Sequence, residues 1–122
     1  MNVTLKRWNS VDFTLQRQRL IRDIHAGRQR ASDYQDADFL LVTAAKYHGL
    51  QTQRGCPLCE SPLLTATWVH GEELGKRSGS ARSWEEIARL AAEGITFSVH
   101  TVEVCAHCLW NHLLRTEDVC AA

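Results

Sequence analysis

Apolar residues in the first quarter of the chain recur every three or four positions, which is the spacing of one face of an α-helix. The members of this stripe are Phe13, Leu20, Ile21 and Ile24. The pattern predicts a helix from about Val11 to Ala26, capped by Ser10 and ended by Gly27. The preceding residues, Met1 to Asn9, are expected to form a loose lead-in.

A second apolar stretch predicts a helix that begins near Asp33 or Asp36 and ends at His48, just before Gly49. The side chains expected to be buried on this helix are Phe39, Leu40, Val42, Ala44 and Tyr47. The two helices would form a hairpin over residues 11–49. The hairpin is expected to pack on the rest of the protein, because two short helices alone have little core.

The second half of the chain alternates between apolar and polar residues, which is the pattern of a β-strand. It predicts one strand over Leu63 to His70 and another over Ile95 to Val104. The alternation slips in the second strand, which predicts a bulge near His100 or Thr101. Leu109 to Leu114 could form either a further strand or a short helix, and the last residues are expected to fray.

The segments around these strands carry turn and helix signals. Leu50 to Gly55 is polar and is expected to be a connection, and Gly71 to Arg82 is rich in glycine and serine and is expected to be a loop. Ser83 and Glu86 have the spacing of a capping box, which predicts a helix from Trp84 to about Glu93.

Composition limits the class of protein. The 122 residues are enough for one domain with one modest core. No apolar run approaches the ~20 residues that cross a membrane, and residues Met1 to Ser10 lack the apolar centre of a secretion signal. A cytoplasmic location is therefore expected, and there a Cys-x-x-Cys pair indicates metal binding or redox chemistry more than a structural disulfide.

Four of the five cysteines form two such pairs, and they are the candidate metal ligands. They are Cys56, Cys59, Cys105 and Cys108. Two pairs can place four thiolates around one Zn²⁺ with bonds of about 2.3 Å and no open position, so the predicted zinc is structural. The gap between the pairs is longer than in the commonest compact zinc ribbons, which implies an insertion at residues 71–94.

Other interpretations of the cysteines remain open. Redox chemistry of the thioredoxin type needs one exposed pair at a helix N-terminus, whereas Pro57 and a following strand favour a metal knuckle. Four cysteine ligands do not exclude an iron–sulfur centre. His107 or His112 could replace one thiolate, although a surface histidine is favoured because four cysteines already satisfy zinc. Cys120 is interpreted as an unpaired tail thiol.

The formal net charge is zero, but the basic residues are unevenly placed. Residues 1–30 hold seven Lys and Arg against two Asp, which could face an acidic partner or simply form a solvated helix face. The glycine-rich loop could hold a phosphate or an acidic side chain, although a flexible surface connection is favoured. The candidate contacts of both segments are Arg17, Arg19, Arg22, Arg28, Arg30, Lys76, Arg77 and Arg82.

Several short stretches, together with the two cysteine pairs, resemble an uncharacterised actinobacterial zinc-ribbon family, a domain of unknown function. The stretches are Ala44–Gly49, Trp68–Glu72, Ser78–Arg82, Val102–Cys105 and Cys108–Leu113. The resemblance covers about Phe13 to Leu114. It implies a small cytoplasmic bacterial protein whose four cysteines bind metal, and it names no activity or partner.

The predicted fold is α+β in a single domain over residues 1–122. A small antiparallel zinc ribbon over 50–115 carries an inserted loop and helix at 71–94 and the N-terminal helical hairpin. The favoured function is a non-enzymatic adaptor for a protein partner, for example on the transcription machinery, because no convincing catalytic set is present. Direct nucleic-acid binding is an alternative that the neutral charge disfavours. An enzyme that uses His and Glu near the loop is the third hypothesis.

Overall fold

The computed structural model describes residues 4–122, in which an antiparallel six-stranded sheet carries three α-helices. The strands are β1 (Leu5–Asp12), β2 (Leu50–Gly55), β3 (Pro62–His70), β4 (Ser80–Ala81), β5 (Phe97–Val104) and β6 (Asn111–Ala121). The helices are α1 (Thr14–His25), α2 (Phe39–His48) and α3 (Trp84–Ala91), and short 3₁₀ helices lie at Ala31–Tyr34 and Glu72–Arg77. The α+β class with antiparallel strands is thus confirmed.

The sheet has the strand order β1-β6-β5-β3-β2, and β4 pairs with β3. Because successive residues of a strand point to opposite faces, Leu63 and Cys105 lie on one face and Ala66 and Val104 on the other. Each face has its own apolar packing: the first holds two clusters, one at each end, and the second holds one. The helices cover these clusters, and none of the helices in residues 4–122 is long and apolar enough to cross a membrane.

Helix α3 covers one end of the first face, and the capping box predicted from the sequence starts it. The Ser83 hydroxyl accepts a hydrogen bond from the Glu86 backbone N–H at 3.2 Å, and the Glu86 carboxylate accepts one from the Ser83 N–H at 3.1 Å. Ile87 and Leu90 are buried against Val99 and other strand residues. The prediction of this helix is confirmed, with its end at Ala91.

Helices α1 and α2 pack on opposite faces of the sheet, so the predicted helical hairpin is wrong. Leu20, Ile21 and Ile24 of α1 contact the cluster that contains Leu63 and Cys105. Helix α2 instead places Ala45 against Ala66 and Val104 on the other face. The connecting segment crosses beside the second cysteine pair, where the Ala37 N–H donates to the Leu109 carbonyl oxygen at 3.0 Å.

Pairing between the two ends of the chain corrects three further predictions. Residues 5–12 form β1 and pair with β6 from Leu5 opposite Ala121 to Asp12 opposite Arg115, so the described part of the predicted lead-in is an edge strand. Helix α1 accordingly begins at Thr14, because Ser10 and Val11 belong to β1. The C-terminal residues are ordered in β6 and do not fray. Met1 to Val3 lie outside the described residues.

The strands of the ribbon region agree with the sequence in part. A register shift lies at the predicted place, between Thr101 and Val102, but the bulge is not in the predicted strand. Strand β5 pairs with β3 without a shift, and the extra residue is Leu114 of β6. Its carbonyl oxygen accepts a hydrogen bond from the Phe13 N–H at 2.9 Å. The supposed connection Leu50–Gly55 is strand β2, and the supposed loop Gly71–Arg82 contains a 3₁₀ helix and β4.

Candidate metal centre

The first cysteine pair occupies the turn between β2 and β3. The Cys56 N–H donates to the Ser61 carbonyl oxygen at 2.7 Å, and the Glu60 N–H donates to the Cys56 carbonyl oxygen at 3.0 Å. Glu60 closes the turn with φ of 68°, in the left-handed region that favours glycine. These bonds hold Cys56 and Cys59 on one side of a tight loop.

The second pair repeats the same geometry in the turn between β5 and β6. The Cys105 N–H donates to the Trp110 carbonyl oxygen at 2.8 Å, and the Leu109 N–H donates to the Cys105 carbonyl oxygen at 3.0 Å. Leu109 has φ of 73°, four residues after the first cysteine of its pair, as Glu60 does in the other turn. A non-glycine residue in this region is uncommon, and two at matching positions indicate that the loops share one backbone design.

The two turns bring the four sulfur atoms together, with all of them within 4.8 Å of one another. The Sγ atoms of Cys56 and Cys108 lie 3.6 Å apart, and those of Cys59 and Cys105 lie 3.4 Å apart. Four sulfurs around one ion at bonds of about 2.3 Å would be separated by about 3.8 Å. The donor set therefore fits a single four-coordinate metal ion with two ligands from each turn.

Backbone N–H groups point at two of the sulfurs, and the four cysteines differ in burial. The Leu58 N–H points at Cys56 Sγ and the Cys108 N–H at Cys105 Sγ, each at 3.4 Å, which stabilises negative charge on those sulfurs. Cys56 and Cys105 are buried, whereas Cys59 and Cys108 are half-buried. Access to the cluster therefore lies on the side of Cys59 and Cys108.

The thiols of Cys56, Cys59 and Cys105 differ in acidity. Burial raises the pKa of Cys56 to about 12, and burial also raises the pKa of Cys105. A hydrogen bond from the Ser61 side chain lowers the pKa of Cys59 to about 5, with a smaller contribution from His107. Because bound cysteine is a thiolate, metal binding must displace the protons that the buried pair retains.

The two candidate histidine ligands do not join the cluster, which among the described residues consists of the four cysteines. His107 is exposed. The His112 Nδ1 lies 2.6 Å from the Leu113 carbonyl oxygen, and its ring stacks on Trp110 with the ring centres 6.0 Å apart. The four predicted cysteines are thus the residues that could hold a metal ion.

A buried carboxylate, Glu103, lies two residues before Cys105 and was not predicted as part of the site. Its Oε2 atom accepts hydrogen bonds from Arg17 Nε at 2.6 Å and from Trp110 Nε1 at 2.9 Å. Its Oε1 atom lies 3.5 Å from Arg54 Nη2 and makes no hydrogen bond within residues 4–122. Glu103 therefore connects helix α1 to the second cysteine turn. The sequence signal that could have identified Glu103 was an acidic residue within an otherwise apolar strand end.

The basic residues predicted as partner contacts are mostly engaged within the chain. Arg17 bonds Glu103 in the interior, and the others that form ion pairs in the described residues do so at the surface. The surface pairs are Arg28–Asp23 at 2.9 Å, Arg30–Asp33 at 3.6 Å, Arg77–Glu93 at 2.8 Å and Arg82–Glu86 at 3.6 Å. Arg19, Arg22 and Lys76 are exposed. Helix α1 and the segment 76–77 lie toward opposite ends of β3, so these residues do not form one basic patch.

Helix α2 presents large apolar side chains to solvent, contrary to the prediction that they are buried. Phe39 is 80% exposed, Tyr47 79% and Leu40 71%, whereas Ala44 and Ala45 are the buried residues of the helix. Small side chains let the helix axis approach the sheet closely, which turns the bulky ones outward. We call Phe39, Leu40, Thr43 and Tyr47 the outer face of α2. A cavity of about 540 Å³ lies beside it, with Trp68 and Ala81 in its lining.

A model of a family of unknown function (DUF5318) matches residues 4–120 of the chain. The chain belongs to this family. An uncharacterized protein of Mycobacterium bovis is similar to it, with 44% identity over 113 residues that cover 92% of this chain and 82% of the relative. Uncharacterized proteins of two strains of Mycobacterium tuberculosis show the same identity and coverage. The resemblance to an actinobacterial family of unknown function is thus confirmed. No solved structure matches the chain.

Proposed function

We propose that this protein is a zinc-stabilised protein-interaction module that acts as a non-enzymatic adaptor. The observation that carries the proposal is the closed set of four sulfurs, all within 4.8 Å of one another. An ion held by four thiolates has no position left for water or substrate, so its role is to stabilise the fold. The surfaces around it then supply the function.

The geometry supports a single ion, and we propose zinc because of the kind of ligand set and fold. An iron–sulfur cluster would separate its cysteine sulfurs further, because several iron atoms stand between them, whereas the cross-turn sulfurs here are 3.4 and 3.6 Å apart. Four-cysteine tetrahedral sites in small folds are typical of structural zinc. Part of the binding free energy would then be folding free energy, since one of the two apolar clusters on this face contains the four cysteines.

The outer face of α2 supports the adaptor role. Exposed apolar patches on a soluble protein indicate protein or membrane contacts or ligand grooves. Here Phe39, Leu40 and Tyr47 project beside an apolar cavity, and the flanking Arg82 and Glu86 give it a polar rim. An apolar centre with a polar rim is the ordinary arrangement of a protein–protein interface.

Metal analysis and unfolding test the zinc. We expect about one zinc per purified chain, and we expect a strong chelator or the substitution Cys56→Ser to abolish cooperative folding. Cys120→Ser is the matched control, because Cys120 lies outside the cluster, and it should leave metal content unchanged. A fold that remains intact after chelation would contradict the proposal. Iron found in place of zinc would show that the bound metal is iron and not zinc.

A capture experiment tests the adaptor role, with components of the transcription machinery as the first candidate partners. The bait is the metal-loaded full chain, compared with Leu40→Asp on the outer face of α2 and with Leu15→Asp on α1, which is also exposed. We expect the bound partner to be lost with Leu40→Asp only. Equal recovery by all three baits would remove the support that α2 gives to this role.

A further inference from the structure

The outer face of α2 has the residue spacing seen in helix pairs, with Leu40 and Tyr47 exposed and the half-buried Thr43 between them. Leu40, Thr43 and Tyr47 stand at positions i, i+3 and i+7, which lie along one line of an α-helix. Phe39, 80% exposed, widens this line. Side chains in such a row form a ridge that can pack into the groove of another helix.

The same face carries both projections and a recess. The cavity of about 540 Å³ is bounded by Leu40, Ala44 and Tyr47 on the helix side and by Trp68 and Ala81 on the sheet side. A face that has both projections and a recess can bind a second copy of itself about a two-fold axis. The projections of each copy then fit into the recess of the other.

Charge favours an antiparallel arrangement of two such helices. Asp36 and Asp38 lie at the N-terminal end of α2, and Lys46 and His48 lie at its C-terminal end. Antiparallel pairing brings the acidic end of one helix next to the basic end of the other and also aligns the helix dipoles favourably. A parallel pair would place like charges together.

We infer that the outer face of α2 binds the same face of a second copy of this chain, antiparallel, in a symmetric dimer. The inference rests on the proposed function, because it names the partner of the same interaction face. The two-fold axis would pass close to Thr43, midway between Leu40 and Tyr47.

The apolar area of the outer face of α2 indicates what kind of dimer to expect. Two aromatic side chains and one leucine at these exposures offer on the order of 400 Å² of apolar surface per copy, given about 150–250 Å² for a buried aromatic. A standard interface buries about 800 Å² per partner, so the dimer should be a transient one. Because area alone does not fix affinity, we expect only that the dissociation constant lies in the range of about 1 to 200 µM.

Sedimentation velocity of the metal-loaded full chain between about 1 and 200 µM, a range that brackets this constant, tests the inference. We expect a monomer at the low end and a dimer at the high end. Leu40→Asp and Tyr47→Asp should remain monomeric throughout, whereas Leu15→Asp, at a side chain 67% exposed on α1, should dimerise like the wild type. Far-UV circular dichroism and metal content equal to the wild type establish that each variant is folded.

A cross-link tests the geometry. In a Cys120→Ser background, Thr43→Cys should form a disulfide-linked dimer under mild oxidation, in which two thiols give up two electrons and two protons to the oxidant. Leu15→Cys should stay monomeric. A wild-type monomer at 200 µM, or a dimer that Leu40→Asp leaves intact, would overturn the inference. A monomer that captures a different protein through Leu40 would overturn the dimer while retaining the proposed function.

Discussion

The substitution Glu103→Gln tests how helix α1 is attached to the metal centre. Glutamine retains the size of the side chain, and its amide oxygen can still accept the hydrogen bond from Trp110 Nε1. It cannot neutralise Arg17, whose Nε lies 2.6 Å from the carboxylate and whose side chain is only 13% exposed. The substitution therefore leaves a cation poorly solvated between α1 and the sheet.

The size of the effect follows from burial. Breaking a buried ion pair by removing one partner costs about 3–5 kcal/mol, because the remaining charge is uncompensated. Arg17 keeps slight access to water, so we expect Glu103→Gln to lower the free energy of unfolding by about 3 kcal/mol. Arg54 contributes little to this value, because it is 54% exposed and such pairs are worth about 0–1 kcal/mol.

Urea unfolding of the metal-loaded protein measures the change, with Glu117→Gln as the matched control. Glu117 is equally buried, but its partner Arg7 is 44% exposed and can turn to water, so this control should cost about 1 kcal/mol or less. The double variant Glu103→Gln with Arg17→Met should recover part of the loss, because it removes the unpaired cation. A loss below about 1 kcal/mol for Glu103→Gln, or strict additivity in the double variant, would refute the role assigned to the pair.

Three further predictions concern the metal and the backbone. Apparent metal affinity, measured by competition with a chelating dye, should fall as pH is lowered through neutrality, because burial raises the pKa of Cys56 to about 12 and its proton must leave on binding; a flat profile would contradict thiolate ligation. Gly49→Ala should lower the melting temperature strongly, since its methyl group would collide with the carbonyl oxygens of Ala45 and Thr65, and an unchanged melting temperature would count against this packing of α2. Ser83→Ala should cost about 1 kcal/mol in urea unfolding by removing the cap of α3, whereas Ser83→Asp should restore most of it.

Several features could be predicted because their causes are local. The Cys-x-x-Cys spacing makes each pair a compact ligand turn whatever surrounds it, and the four candidate ligands do converge. The capping box at Ser83 and Glu86 depends on residues three positions apart, and it starts α3 as predicted. The apolar pattern of β3 and β5 likewise lies within single strands. Both faces of these strands are covered, so the slip in β5 reflects burial of Val99 on one face and of Val104 on the other.

Other features depend on contacts between residues far apart in sequence. Residues 5–12 become a strand only because β6 offers them a free edge, and β6 in turn is ordered to Ala121 by the same pairing. No local pattern could have predicted either half of that ladder. The ion pair of Arg17 could not be predicted for the same reason, since its partner Glu103 lies 86 positions away in the sequence.

The sequence by itself determined the candidate metal ligands, the third helix and the two central strands, since each is specified within a few neighbouring residues. Only the tertiary structure decided which side of α2 is buried. That helix is apolar on both sides, so periodicity favoured its bulky residues for the core. Close approach to the sheet requires the small side chains of Ala44 and Ala45 instead, which leaves Phe39, Leu40 and Tyr47 in solvent as the most prominent candidate interaction surface.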